Sequence, residues 1–212
     1  MNAKALLIAI LLAASTAAEA QSMNQKLEAL MASRVGTTAV SAEPQFANGQ
    51  LSACTIEFNS LVRDHKYRQG GFSKVFGSFG VHVTSGVAAV VPKVVVHDID
   101  ARSMAFVPQA PANAYFVTGY GTSRDQLIAK HASDTPGGLF SIFRTEVFPS
   151  MMEAISQGKI TLAFNRTNDG SDVPVSLNLR VLDTDEQGRK TLSDKTDLAF
   201  FECMTKLTEQ MK

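Results

Sequence analysis

The stretch His97-Asp98-Ile99-Asp100 carries the residue types that hold metals and move protons. In an extended chain Asp98 and Asp100 project from the same face. They would then present paired carboxylates, with His97 beside them, to a cation, a proton or a ligand. The same residues also suit a strand end that runs into a polar loop, where Asp accepts turn hydrogen bonds.

A second cluster runs from Asp183 through Asp185, Gln187 and Gly188 to Asp194. It has oxygen ligands at the first and third positions of a calcium loop and Gly at the sixth. It departs at the fifth position, ends on Asp instead of Glu, and is entered from a strand-like segment, which favours a polar turn. Arg63-Asp64-His65 and His131-Ala132-Ser133-Asp134 hold acid–base and nucleophile types. Catalytic groups assemble in space, however, so adjacency in sequence counts for little. His82, between Val81 and Val83, reads as the polar face of a strand.

The chain contains two cysteines, Cys54 and Cys203. Their wide separation excludes a Cys-x-x-Cys redox motif, and no neighbouring His or Cys completes a zinc site. A structural disulfide is expected, with a loop-closure contribution of roughly 5 kcal/mol at most. The Gly-x-Ser-x-Gly elbow, the phosphate-binding Gly-rich loop, the dinucleotide fingerprint and the His-Glu-x-x-His pair are all missing. Each supplies a geometry its chemistry requires, so nucleotide enzymes, lipase-type hydrolases and zincins lose support. No cofactor is expected. With thirteen Phe, three Tyr and no Trp, the aromatic inventory suits a core better than a sugar-stacking site.

These residues need elements to position them. Cys54, Ile56 and Phe58 alternate with polar neighbours, the period of a half-buried strand. Residues 72–83 are β-branched and aromatic, interrupted by Gly77 and Gly80, which suggests a bulge or bend. Residues 87–96 are almost wholly apolar, and Pro92 inside them should mark a strand start, an edge or a bulge. Residues 113–119 and 139–143 are further strand candidates. Ile160, Leu162 and Phe164 alternate, Asn168-Asp169-Gly170 signals a turn, and Val173 to Val181 alternate again, so a hairpin is expected. Helical spacing predicts helices over 145–157, with Gly158 as the stop, and over 194–211. The latter stripes Phe200, Cys203, Met204, Leu207 and Met211 on one side, with Ser193 or Asp194 as cap.

The fold expected is therefore mainly β (α+β): an antiparallel β-sandwich-like domain over residues 51–212. Two or three peripheral helices accompany it, the last tied to the first strand by Cys54–Cys203. Residues 21–50 read as a short helix (23–34) followed by a Gly-, Ser-, Thr- and Pro-rich linker. Residues 1–20 read as a signal peptide. Lys4 precedes an apolar run from Ala5 to Ala14, and Ala18-Glu19-Ala20 offers small residues for cleavage before Gln21. The apolar run is too short to span a membrane, so no transmembrane segment is expected after cleavage. A net charge of zero gives no support to a nucleic-acid partner. The expected role is that of an exported, periplasmic or secreted binding module whose partner is an envelope protein or small ligand. The alternative is an exported hydrolase using a His/Asp site.

Overall fold

In the computed structural model, residues 25–119, 121–184 and 187–211 are described. The expected signal peptide, residues 1–20, lies outside them, as do Asp185 and Glu186 of the calcium-like loop. The chain divides into two compact units, one ending at Val35 and one beginning at Gly36. The first contains helix α1 (25–32), closed by turns from Ser33 N to Ala29 O and from Arg34 N to Met31 O.

The second unit is built from antiparallel strands. Strands β1 (Gly36–Ala47), β2 (Gln50–Asp64), β3 (Gly71–Thr84) and β4 (Val87–Ile99) form a continuous meander. Strand β5 (Phe106–Pro108) pairs with the end of β4, and β6 (Asn113–Thr118) and β7 (Gly121–Thr122) follow in a second sheet. Strands β8 (Leu127–Ala132) and β9 (Gly138–Phe143) return to the first sheet, giving the order β1-β2-β3-β4-β9-β8. Helix α2 (Phe148–Ser156) leads into β10 (Lys159–Asn165) and β11 (Val173–Asn178), which complete the second sheet as β11-β10-β6-β7. A small hairpin of β12 (Leu182–Thr184) and β13 (Lys190–Leu192) precedes helix α3 (Lys195–Gln210).

The two sheets share one core. Ile56 and Phe58 of β2, Val75 and Phe79 of β3 and Val94 and Val96 of β4 meet Phe116, Leu162, Phe164, Val175 and Leu177 of the second sheet. Phe79 and Phe143 each pack edge-to-face on Phe116 at a centroid distance of 6.0 Å, a geometry that suits the ring quadrupoles. Each fully buried Phe or Leu contributes about 1.5–3 kcal/mol of transfer free energy. Helix α2 buries Met151 and Ile155, and Gly158, at φ +72°, closes it with an N–H bond to Ile155 O of 2.8 Å. The mainly β, disulfide-linked architecture matches the expectation.

Residues 36–47 correct one part of it. They are strand β1, paired with β2 along almost its whole length, and the compact unit begins at Gly36 instead of Leu51. The reason lies in the turn: Asn48 and Gly49 both have positive φ, and Ala47 pairs directly with Gln50. That is the two-residue hairpin connection whose twist matches the flanking strands. Once the hairpin forms, the polar composition of β1 is tolerated because it is an edge strand.

Pro92 is the second correction. It lies inside one unbroken strand, β4, between β3 and β9, and not at a start, edge or bulge. Its ladder to β3 is continuous, while the ladder to β9 lapses between the pairs Val90↔Phe143 and Lys93↔Phe140. Pro92 has no N–H to donate, and the buried Ser141 Oγ in the facing stretch of β9 has no hydrogen-bond partner. Gly77 and Gly80 cause no bulge, for both registers of β3 run through them unshifted. They permit close approach instead. A Cβ at Gly77 would overlap the Lys93 carbonyl oxygen, and one at Gly80 the Cys54 carbonyl oxygen.

Gly80→Ala is therefore expected to lower unfolding free energy by about 3 kcal/mol. Gly119→Ala, where a Cβ meets nothing within 4 Å, should change it by less than about 0.5 kcal/mol. Urea denaturation of the two variants measures the difference, and equal effects would mean that the sheet yields at Gly80.

Candidate functional site

Cys54 and Cys203 are bonded, with a Cα–Cα distance of 5.7 Å across a sequence separation of 149 residues. Helix α3 packs on β1 and β2. Its core stripe is Phe200, Met204 and Leu207, as the spacing predicts, although Met211 at the end of the stripe stays 47% exposed. One step around the same helix stand Ala199, Glu202, Lys206 and Gln210. They face Ala42, Pro44 and Phe46 of β1, with Leu51 and Thr55 of β2, across a cleft of about 610 Å³. Phe46 is 66% exposed, an aromatic ring left in water at the cleft. Three carboxylates line the cleft (Glu43, Glu202, Glu209) against one ammonium, Lys206. Cys203 lines it too.

The polar residues singled out by type separate. Asp98 accepts two bonds from the Arg166 guanidinium, Nη2 to Oδ1 at 2.7 Å and Nη1 to Oδ2 at 3.1 Å, and one from Ser73 Oγ at 2.7 Å. Arg68 Nε stands 3.4 Å from Oδ2. Arg166 also reaches Asp64 Oδ2 at 3.0 Å, while Asp64 Oδ1 accepts the backbone N–H groups of Lys66 and Tyr67, both at 2.8 Å. The Asp64 side chain is fully buried, and those of Asp98 and Arg166 are partly buried, each 15% exposed. The guanidinium lies 5.6 Å from the Tyr67 ring centre. This cluster binds the end of β10 to β2 and β4. A bidentate pair of this kind occupies the oxygens a metal would need.

Asp100 does not join Asp98. It lies beyond β4 and accepts the N–H groups of Arg102 and Ser103 and the Ser103 hydroxyl. Those bonds, the backbone one from Ser103 first, hold its carboxyl below the usual range. His97 packs edge-to-face on Phe76 at 5.1 Å, and its Nε2 lies 2.9 Å from Pro136 O. Among the described residues no group of three or more His, Cys, Asp or Glu is placed to hold a metal ion. The other histidines stand apart: His65 in the β2–β3 turn, His82 in β3 opposite Ala53 and Ala89, and His131 in β8.

A further polar network lines a pocket of about 140 Å³ that includes Asn113, Tyr115, Arg124 and Asn168. Arg124 donates to the Tyr115 hydroxyl and to Asp172, and Lys130 Nζ donates to Ala112 O and Asn113 Oδ1, both at 2.8 Å. Burial, and then Asp172, push the Tyr115 hydroxyl up to about 12, so the phenol stays protonated and serves as a donor. These groups satisfy one another and fasten the loops between strands.

Sequence reasoning missed the β1 flank of the cleft: Phe46 lies in the stretch that reads as a linker, and the Asn48-Gly49 pair is the available signal.

Two expectations follow. Arg166→Leu leaves the buried Asp64 carboxylate without its cation and Asp98 with Arg68 alone, and should cost about 3–5 kcal/mol. Adding Asp64→Asn and Asp98→Asn should recover part of that, so that the triple variant is less destabilised than the sum of the single ones; a strictly additive triple would mean no coupling. For His82, burial holds the imidazole below the usual value of 6.5. The unfolded chain then binds its proton first as pH falls, so stability drops below about pH 6.5. The loss between about pH 7.5 and about pH 5.5 should be smaller in His82→Gln than in the wild type, read from denaturation curves.

Comparison with protein-family models, with characterised proteins and with solved structures gives no match.

Proposed function

We propose that the chain is an exported binding module and that the cleft between β1 and α3 takes a basic, amphipathic helical segment of an envelope protein. The observation that carries this is the cleft's combination of an exposed apolar floor with an acidic lining. Ala42, Pro44, Phe46 and Ala199 offer apolar contact, and the charged lining is three carboxylates to one ammonium. Apolar surface of this kind marks interaction sites, and excess negative charge selects a positively charged partner. Two features at this end of β1 disfavour an added strand. Pro44 lacks an N–H, and the register shifts between Gln45 and Phe46, both of which blunt an edge. A helix laid in the groove needs neither.

Export is supported by Lys4, the apolar run and Ala18-Glu19-Ala20 ahead of Gln21, and by a disulfide of the kind that persists in oxidising compartments. Among the described residues no helix is long and apolar enough to cross a membrane.

A labelled model helix of Leu and Lys, and its Leu–Glu counterpart, test the binding reading by fluorescence anisotropy. The basic peptide should bind, Phe46→Ser should weaken it about tenfold, a loss of about 1.4 kcal/mol, and the acidic peptide should not bind. Equal binding of both peptides, or no effect of Phe46→Ser, would discard the cleft as the site. For export, full-length chain expressed in a bacterial host with two membranes should be recovered from the periplasm beginning at Gln21. Cytoplasmic protein with residues 1–20 intact would count against it.

A further inference from the structure

The two cysteines of the disulfide are placed differently. Cys54 is 0% exposed, among the core residues of β2, whereas Cys203 is 8% exposed and lines the cleft. Thiol–disulfide exchange requires a thiolate to reach one sulfur and expel the other, so its rate depends on which sulfur is accessible. We propose that Cys203 is the point of thiol–disulfide exchange in the folded protein, reached through the β1–α3 cleft, and that the cleft favours thiols carrying positive charge.

A thiolate entering the cleft forms a new S–S bond to Cys203 Sγ. The Cys203–Cys54 bond breaks, and its electron pair leaves on Cys54 Sγ, which takes a proton from water. A second thiolate then attacks the incoming sulfur of the mixed disulfide, releasing Cys203 as a thiolate and the small molecule as its own disulfide. Two thiols are oxidised and one protein disulfide is reduced. Glu43, Glu202 and Glu209 outnumber Lys206 along the route, so an ammonium-bearing thiol is concentrated there and a sulfonate-bearing one is repelled. The proposal does not rest on the peptide-binding reading, because a small thiol reaches Cys203 whether or not any partner uses the cleft.

The test uses the oxidised wild-type protein under native conditions, with cysteamine and 2-mercaptoethanesulfonate compared at equal thiolate concentration. Loss of the disulfide is followed by acid quench, alkylation and mass spectrometry. Cysteamine should be faster by roughly tenfold at low salt, with the ratio shrinking toward one in high salt. The first trapped adduct should be on Cys203, and the rate should rise with thiol concentration. Glu202→Gln with Glu209→Gln should reduce the preference by slowing the cysteamine reaction and speeding the mercaptoethanesulfonate one. Equal rates for the two thiols would overturn the charge selection. A first adduct on Cys54, or a rate that is independent of thiol concentration and so set by global unfolding, would overturn Cys203 as the point of attack.

Discussion

The bond between Cys54 and Cys203 joins the second strand of the large sheet to the middle of the terminal helix, and the arrangement of that end of the molecule follows from it. A helix at a chain end that buries only one stripe is held by few contacts, here mainly Phe200, Met204 and Leu207. The cross-link removes unfolded-chain entropy equivalent to roughly 5 kcal/mol at most, offsetting the cost of ordering the helix. It also fixes the helix at the distance from β2 that the two cysteines allow. Strand β1 continues outward past Cys54, since Pro44 pairs with it and Phe46 lies beyond. A pinned helix beside a projecting hairpin leaves a gap, and that gap is the cleft.

The opposite problem arises where β10 must stay against β2 and β4. No covalent bond serves there. Arg166 sits between Asp64 and Asp98 and joins both sheets through one guanidinium. Its Nε remains without a hydrogen-bond partner, so the arrangement carries an uncompensated desolvation cost. Such a cluster contributes little net stability over an apolar replacement but makes any single deletion expensive. What it supplies is register: a planar fork that meets two carboxylates on different strands admits one relative placement of the sheets.

Of the two readings of His97-Asp98-Ile99-Asp100, the strand end that runs into a polar turn is the one the structure shows. Asp98 and Asp100 have the spacing of a paired site, but β4 ends between them. One turns to Arg166 and the other closes a turn. Sequence spacing cannot show where a strand stops, because that depends on the partner strand. The hairpin β10–β11, both later helices and the disulfide were legible because each follows from a period or a pairing of residues. Strand β1 was not, since its apolar residues are few and its evidence lay in the two residues that turn it, Asn48 and Gly49. Pro92 was misjudged for a related reason: a missing donor forbids one ladder bond, and β4 gives up its pairing with β9 locally while keeping the one with β3.

The cleft is held unequally along its length, and this bears on what it can accommodate. Near its start, α3 is tied by Asp197, whose Oδ2 accepts Arg180 Nε at 3.1 Å while Arg180 Nη2 reaches Ser156 O at 3.1 Å. Burial pushes the Asp197 carboxyl up and Arg180 opposes it, so the tie is a compromise between desolvation and pairing. Cys203 fixes the middle. Beyond it Met204 and Leu207 are buried, and Met211 lies nearly half exposed. A segment entering beside Glu202 therefore meets a wall fixed on both sides. One entering beside Glu209 and Gln210 meets the last turn of a helix, where backbone carbonyls lack intrahelical partners and fraying costs least. The rigid half can impose shape and the looser half can adjust to length, a combination in keeping with the proposed recognition of a charge pattern on a helix more than of one defined side chain.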